Sequence, residues 1–243
     1  MEPRQLRELE HNRKILNAAD KVWGRSGFVG IKRVERRAKL IIDSCGINAS
    51  KSVLEIGSGT GTLTKFLAQT GAKVVATDLF EEFLNISKNE FNTNNVQYVV
   101  ADAEKLDNFS EKSFDVVCGL SILHHLKLDL ALQSMYRVLK PGGCFAFSEP
   151  NILNPQIMVI QNSPFVIRRK FGYSEDERAF SKWHIRKFLE SFGFKNISAT
   201  PFDFLHPVIP TRLANIVESA GLFIEKVPII REIAGSIFIF AKK

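Results

Sequence analysis

Val53-Leu54-Glu55-Ile56-Gly57-Ser58-Gly59-Thr60-Gly61, followed by Val74-Val75-Ala76-Thr77-Asp78, decides the fold. An apolar run ends in a glycine turn, a helical pattern follows from near Thr62, and a second apolar run ends in a carboxylate. This is the pattern of a nucleotide-binding βαβ unit. The glycines let a ligand approach the backbone, because no Cβ stands in the way. The amides at the start of the helix point to the same place. Asp78, at the tip of the neighbouring strand, is placed to accept hydrogen bonds from two ribose hydroxyls.

Further signals follow in order. Val96 to Ala101 is a short apolar strand that ends at Asp102-Ala103. Ser113 to Cys118 reads as a buried fourth strand, continued by Gly119-Leu120-Ser121-Ile122-Leu123-His124-His125-Leu126. Arg137-Val138-Leu139-Lys140-Pro141-Gly142-Gly143 then leads into a fifth strand that runs to Ser148-Glu149-Pro150-Asn151. Lys195 to Thr200 reads as a sixth strand and Ser236 to Ala241 as the last.

The glycine spacing separates ligand classes. A dinucleotide site places its third glycine one position later and presents a helix N-terminus to a pyrophosphate. The tighter Gly57-x-Gly59-x-Gly61, preceded by Glu55, resembles motif I of the class I S-adenosylmethionine (SAM) dependent methyltransferases. An acidic residue near the turn suits a positively charged ligand and repels a pyrophosphate. The Leu-His-His-Leu string with Arg-Val-Leu-Lys-Pro-Gly-Gly resembles the small-molecule branch of that family, which includes quinone and lipid methylases. The resemblance is strong over residues 50–150 and extends to 180–200 and 236–243 in pattern only.

The resemblance implies an α/β, Rossmann-like, doubly wound sheet of seven strands with an antiparallel last strand. Residues 51–243 would form the methyltransferase domain, and residues 1–50 a helical segment that folds over the cofactor as a lid. It also implies the cofactor, SAM, and its contacts. Glu55, Gly57, Ser58, Gly59 and Gly61 would shape the amino-acid end, Asp78 with Leu79 would hold the ribose, Asp102 with Ala103 the adenine, and Leu120 would lie near the sulfonium.

Composition fits one large domain. The 243 residues are 45% hydrophobic, enough for a full core. No apolar run approaches the ~18 residues of a membrane span, and the charged opening Met-Glu-Pro-Arg-Gln is unlike a signal peptide. Cys45, Cys118 and Cys144 lack metal-ligand or disulfide spacing, which points to a reducing cytoplasm and no metal.

Charge is unevenly distributed. Residues 1–52 carry twelve Lys and Arg against six acids, a surplus of six out of the formal +7. A helix from Ile31 to Cys45 would put Ile31, Val34, Ala38 and Ile41 on one stripe, with Lys32, Arg33, Arg36, Arg37 and Lys39 beside or opposite it. Two readings stay open, a solvated face or a patch that attracts an acidic substrate or a phospholipid surface. Nucleic acid is disfavoured, since only Trp23 and Phe28 could stack. Gly24, Gly27 and Gly30 around those aromatics suggest either a mobile lid segment or a helix connector.

Two apolar insertions, about 152–180 and 203–235, follow the fifth and sixth strands. The first is broken by Pro155 and Pro164, and its cations Arg168, Arg169 and Lys170 precede a polar turn at Ser174 to Arg178. Phe180 to Phe192 has helical spacing and stops at Gly193. The insertions are expected to cap an apolar substrate; extra core, a subunit interface and peripheral membrane contact are the alternatives.

Methyl transfer needs in-line alignment and, for a hydroxyl or C–H acceptor, a base. The place after the fourth strand lacks the Asn/Asp-Pro-Pro-aromatic and Pro-Cys signatures of the base-modifying methyltransferases. His124 and His125 are the general-base candidates, since imidazole titrates near neutrality; as neighbours in sequence they are not expected to face the substrate together. Glu149 and Asn151 are weaker candidates, and His184 reads as structural. The expected reaction is O-methylation of a hydrophobic or lipid-linked small molecule, with C-methylation second. The rivals are a nicotinamide-dependent oxidoreductase, a nucleic-acid or protein methyltransferase and a non-catalytic SAM-binding protein.

Overall fold

The computed structural model describes residues 2–170 and 179–243. Three helices open the chain: α1 (Pro3–Ile15), α2 (Ala19–Val22) and α3 (Gly27–Cys45). β1 (Ser52–Ile56), α4 (Thr64–Gln69), β2 (Lys73–Asp78), α5 (Glu81–Glu90) and β3 (Val96–Val100) form the first half of the sheet layer. β4 (Phe114–Leu120), α6 (Leu128–Val138) and β5 (Leu139–Pro150) continue it. The remainder comprises α7 (Pro155–Gln161), α8 (Phe165–Lys170), α9 (Lys182–Ser191), β6 (Lys195–Phe202), α10 (Thr211–Ile224), α11 (Pro228–Arg231) and β7 (Ser236–Lys242).

The seven strands form one sheet, as the sequence leads one to expect, and their order is β3-β2-β1-β4-β5-β7-β6. β1 to β5 are parallel to one another, while β7 runs antiparallel to both β5 and β6. The winding reverses direction between β1 and β4. A ligand crevice opens at such a reversal, beyond the carboxyl ends of the strands.

Alternation along the strands builds two cores. Leu54, Ile56, Val117, Phe145, Phe147 and Ile239 face α6 and α9, where Leu132, Met135, Ile185 and Leu189 are fully buried. Val53, Val74, Val116, Cys118, Ala146 and Phe238 face α3 and α4 through Val34, Ala38, Ile41 and Leu67. All three cysteines are free and buried.

The α9 segment departs from its sequence pattern at one end. Phe180 bridges Asn151 instead of starting the helix, and Ser181 caps α9 by accepting from the His184 amide at 3.2 Å. Gly193, with φ of 88°, ends it.

The basic face of α3 is neither solvated nor an anion patch. Lys32 pairs with Glu218, Arg36 with Glu225, and Arg33 and Arg37 both with Asp203 at 3.0 and 2.8 Å. Only Lys39 among the five is left on the surface, with Asp43. The cations therefore serve as the docking face for the segment that carries α10. Burial by itself would raise the Asp203 carboxyl, but Arg37 and Arg33 outweigh it and hold it below the usual carboxylate range. Gly30 is equally a packing residue, because a Cβ there would lie 2.6 Å from the Arg25 carbonyl carbon.

Candidate active site

A cavity of about 280 Å³ lies where the winding reverses. Its walls include Gly57 and Gly59 after β1, Asp78 and Leu79 at the end of β2, Ala101 to Ala103 after β3, Ser121, Ile122, His124, His125 and Leu126 after β4, and Pro150 at the end of β5. Every parallel strand thus delivers its carboxyl end to one place. The N-terminal helices close the remaining side with Arg4, Gln5, Glu8 and Leu9 of α1 and with Trp23 and Arg25 before α3.

Of the ten residues assigned to the cofactor by sequence, Gly57, Gly59, Asp78, Leu79, Asp102 and Ala103 line this cavity. Glu55, Ser58, Gly61 and Leu120 stand outside that lining. Glu55 is buried behind the glycine turn and accepts from Thr64 Oγ1 at 2.6 Å. Burial pushes its carboxyl up to about 7, against the opposing pull of the Thr64 hydrogen bond and of Arg25. The Leu120 carbonyl accepts from Arg25 Nη2 at 2.9 Å.

The three motif glycines have φ of 65°, 53° and 87°, a region that other residues rarely enter. What fills the missing side chains is the protein itself. Ile122 packs where a Gly57 Cβ would stand, Trp23 against Gly59, and Ser87 of α5 against Gly61. The triplet therefore seats the loop after β4, the N-terminal segment and α5 around the turn, in addition to shaping the cavity edge.

Asp78 is well fixed. Its two oxygens accept from the Gly59 and Phe80 amides, each at 2.9 Å. Burial raises its carboxyl, and those amides hold the rise back. Asp102 accepts from the Glu104 amide at 3.0 Å and from Gln5 Nε2 at 2.9 Å. The Gln5 amide thus donates to the carboxylate that the sequence resemblance assigns to the adenine amine. Arg4 reaches from the same helix to Glu104 and to the His125 carbonyl.

The histidines behave differently from the expectation. Leu123–His125 is a single 3-10 turn, so consecutive side chains need not alternate as in a strand, and both imidazoles line the cavity. Their rings lie 4.2 Å apart. His124 Nδ1 is 2.6 Å from Glu149 Oε2, while Glu149 Oε1 accepts from the Ile122 and Leu123 amides at 3.0 and 2.9 Å. Glu149 is buried, so it is a rigid support that fixes the His124 ring. His125 Nδ1 faces Glu8 of α1 at 3.2 Å. Asn151 is structural: its fully buried amide donates to the Glu232 and Ala234 carbonyls. His184 stacks on Phe188 of its own helix, away from the cavity lining.

Arg25 was not singled out by sequence, where it is one cation among twelve. The residue is 8% exposed and lines the cavity, and its guanidinium lies 4.8 Å from the Trp23 ring centroid. Burial and Arg37 lower its pKa to about 10, so it stays a cation at neutral pH. Ser121, with φ of 53° at the cavity wall, is a second missed residue; a strained non-glycine residue at a site is a functional signal that only coordinates reveal. No described residue of 152–170 or 203–235 is among the cavity's lining residues, and the polar turn at 174–178, like the side chains of Arg169 and Lys170, lies outside the described residues. The described residues hold no cluster of ligands for a metal ion and no helix long and apolar enough to cross a membrane.

Residues 54–147 match the family described as "Methyltransferase domain". A ubiquinone/menaquinone biosynthesis C-methyltransferase UbiE from Vibrio campbellii is 37% identical over 154 residues, which cover 59% of this chain and 58% of that protein. Its counterpart in Escherichia coli O1:K1 is also 37% identical, over 51% of this chain and 52% of its own. The matches thus span little more than half of these relatives. Among solved structures, a SAM-dependent methyltransferase from Thermotoga maritima superposes with a TM-score of 0.67 at 17% identity, covering 96% of this chain and 99% of that one. Phosphoethanolamine N-methyltransferase 2 of Haemonchus contortus, solved with SAM, has a TM-score of 0.59 at 19% identity, covering 86% of this chain and 52% of that one. Residues 54–147 thus match a methyltransferase domain, within a chain whose seven-stranded fold is that of solved SAM-dependent methyltransferases.

Proposed function

We propose that the protein transfers the methyl group of SAM to a hydrophobic or lipid-linked small molecule, with His124 as general base and Glu149 as its positioning residue. The observation that carries this reading is the 2.6 Å His124–Glu149 pair in the wall of the cavity that Asp78 and Asp102 also line. The residues fit the cofactor. Asp78 offers fixed carboxylate acceptors for ribose hydroxyls, Asp102 an acceptor for the adenine amine once Gln5 yields it, and Phe83 and Leu79 apolar contact. Arg25 supplies a buried cation for the carboxylate of the amino-acid end. When bound, SAM supplies an electrophilic methyl with a neutral leaving group.

The chain's own residues do the rest. Glu149 holds the His124 ring through Nδ1, so proton exchange with the acceptor runs through Nε2. α1 and Trp23 cover one side of the cavity, which reduces its contact with water and strengthens the electrostatic interactions inside it. Proton removal from a phenolic hydroxyl by His124 enriches both the oxygen and the neighbouring ring carbons, so one base serves O- or C-methylation. The printed names of the 37% identical relatives favour carbon. The basic face of α3, paired off by Asp203, Glu218 and Glu225, gives a nucleic acid little to bind.

The test is methyl transfer from isotopically labelled SAM to a panel of phenols and quinols bearing short isoprenoid tails, read by mass spectrometry. Labelled product whose rate falls ~10² to 10⁴-fold in His124→Ala supports the reading. Product formation untouched by His124→Ala would remove the base, and no product with any phenol or quinol would remove the acceptor class.

A further inference from the structure

The helix α10 is built inside out. Its inward face holds the small residues Ala214 and Gly221, both buried. A Cβ on Gly221 would already lie 3.3 Å from Phe204 Cβ, so the helix sits close against the body. Val217 joins Ala214 against Val29 and Leu205, but several other apolar residues of the helix point the other way. Leu213, Ile216, Ala220 and Phe223 follow helical spacing along one outer stripe, with Ile216 67% and Phe223 69% exposed. Leu222 beside the stripe is exposed too, and α11 continues the surface with Ile229 at 84% and with Ile230. Isolated exposed apolar residues are ordinary, but a contiguous row of large ones marks a contact surface.

Charge on this segment is sorted in the same way. Its acids are turned inward, Glu218 to Lys32, Glu225 to Arg36 and Glu232 to Lys182. The cations Arg212 and Lys226 are exposed at either end of the stripe and make no ion pair among the described residues. The outer surface is therefore apolar with a cationic border. A second copy of the same surface would bring like charges together. A bilayer with anionic headgroups satisfies both features, burying the stripe at the headgroup–acyl boundary and pairing the cations with phosphates.

We infer that the outer face of α10 and α11 docks the protein on an anionic phospholipid surface. The surface is also tied to the cavity rim. Asn151, which follows the cavity residue Pro150, donates to the carbonyls of Glu232 and Ala234, and Asn154 Nδ2 donates to the Ile233 carbonyl at 2.9 Å. Docking would thus hold the rim near the bilayer from which a lipid-linked acceptor comes. The docking inference does not depend on the methyl-transfer reading, because vesicle binding is measured without cofactor or acceptor.

The experiment is co-flotation of the full chain with phosphatidylcholine vesicles, with and without phosphatidylglycerol, at low and high salt. Wild type is expected to float with the anionic vesicles and to release at high salt. The double variant Ile216→Glu/Phe223→Glu should lose binding at least ten-fold. Arg212→Gln/Lys226→Gln should lose about five-fold per cation at low salt, with its apolar stripe intact. Circular dichroism and S-adenosylhomocysteine affinity unchanged in both variants show that the fold is kept; none of the four residues lines the cavity. Absence of wild-type binding, or equal binding by the variants, overturns the inference. So does a wild-type dimer in sedimentation that Phe223→Glu dissolves, since the surface would then be an interface between copies.

Discussion

Replacing Arg25 by Ala removes one buried cation from the cavity wall and leaves the adenosine-facing residues in place. Arg25 donates to the Leu120 carbonyl through Nη2 and lies on Trp23, so its fork is held ready for a carboxylate before any ligand arrives. A hydrogen bond to a charged group contributes about 1.5–3 kcal/mol, which is about ten- to a hundred-fold in affinity. The assay is calorimetry with two ligands, S-adenosylhomocysteine, which carries the amino-acid carboxylate, and 5′-methylthioadenosine, which lacks it. Arg25→Ala should weaken the first by that factor and leave the second within about two-fold. Arg25→Lys should fall between, keeping charge but not the planar fork. Unchanged S-adenosylhomocysteine affinity would refute the assignment. Equal weakening of both ligands would also refute it, showing that Arg25 acts only by supporting Trp23 and the β4 terminus.

Two further predictions concern stability. Gly61→Ala would place a Cβ 2.1 Å from Ser87 Oγ at a φ of 87°, so strain and overpacking together should cost about 2–5 kcal/mol. Gly142→Ala, with φ of 76° but open space around it, should cost only about 1–2 kcal/mol; equal losses in urea titrations would show that packing against α5 is not the reason for Gly61. Glu55 has its pKa raised by burial from 4.5 to about 7, so the stability its neutral form gives is fully present below pH 4.5 and is lost as pH rises through 7. Glu55→Gln, a neutral acceptor for Thr64, should match wild type near pH 5 and exceed it by about 2–3 kcal/mol at pH 8; parallel stability–pH curves would contradict the buried, partly neutral Glu55.

The sheet was legible because its determinants are local. Each strand from β1 to β5 is an apolar run closed by a turn or a polar residue; Asp78 is the last residue of β2, and Asp102 and His124 come within four residues of the ends of β3 and β4. What was not legible depends on partners far along the chain. The cations of α3 read as a surface patch because Asp203, Glu218 and Glu225, which neutralise them, lie 166 to 189 residues away. Separations of 97 and 95 residues likewise hid Gln5 on Asp102 and Arg25 on Leu120. The two histidines were misjudged for a different reason, since a 3-10 turn after β4 cannot be told from a strand end by composition. The apolar insertions were readable as apolar, but which way their residues face follows from the small Ala214 and Gly221 and the inward acids, which only the fold makes meaningful.

The cavity is expected to take SAM rather than a dinucleotide. Calorimetric titration of wild type and Asp78→Ala with SAM, S-adenosylhomocysteine and NAD tests it most directly. Micromolar binding of SAM and S-adenosylhomocysteine is expected, weakened ~10-fold or more by loss of the charged ribose contacts in Asp78→Ala, with no binding of NAD. Preferential NAD binding, or no binding of either SAM or S-adenosylhomocysteine, would contradict it.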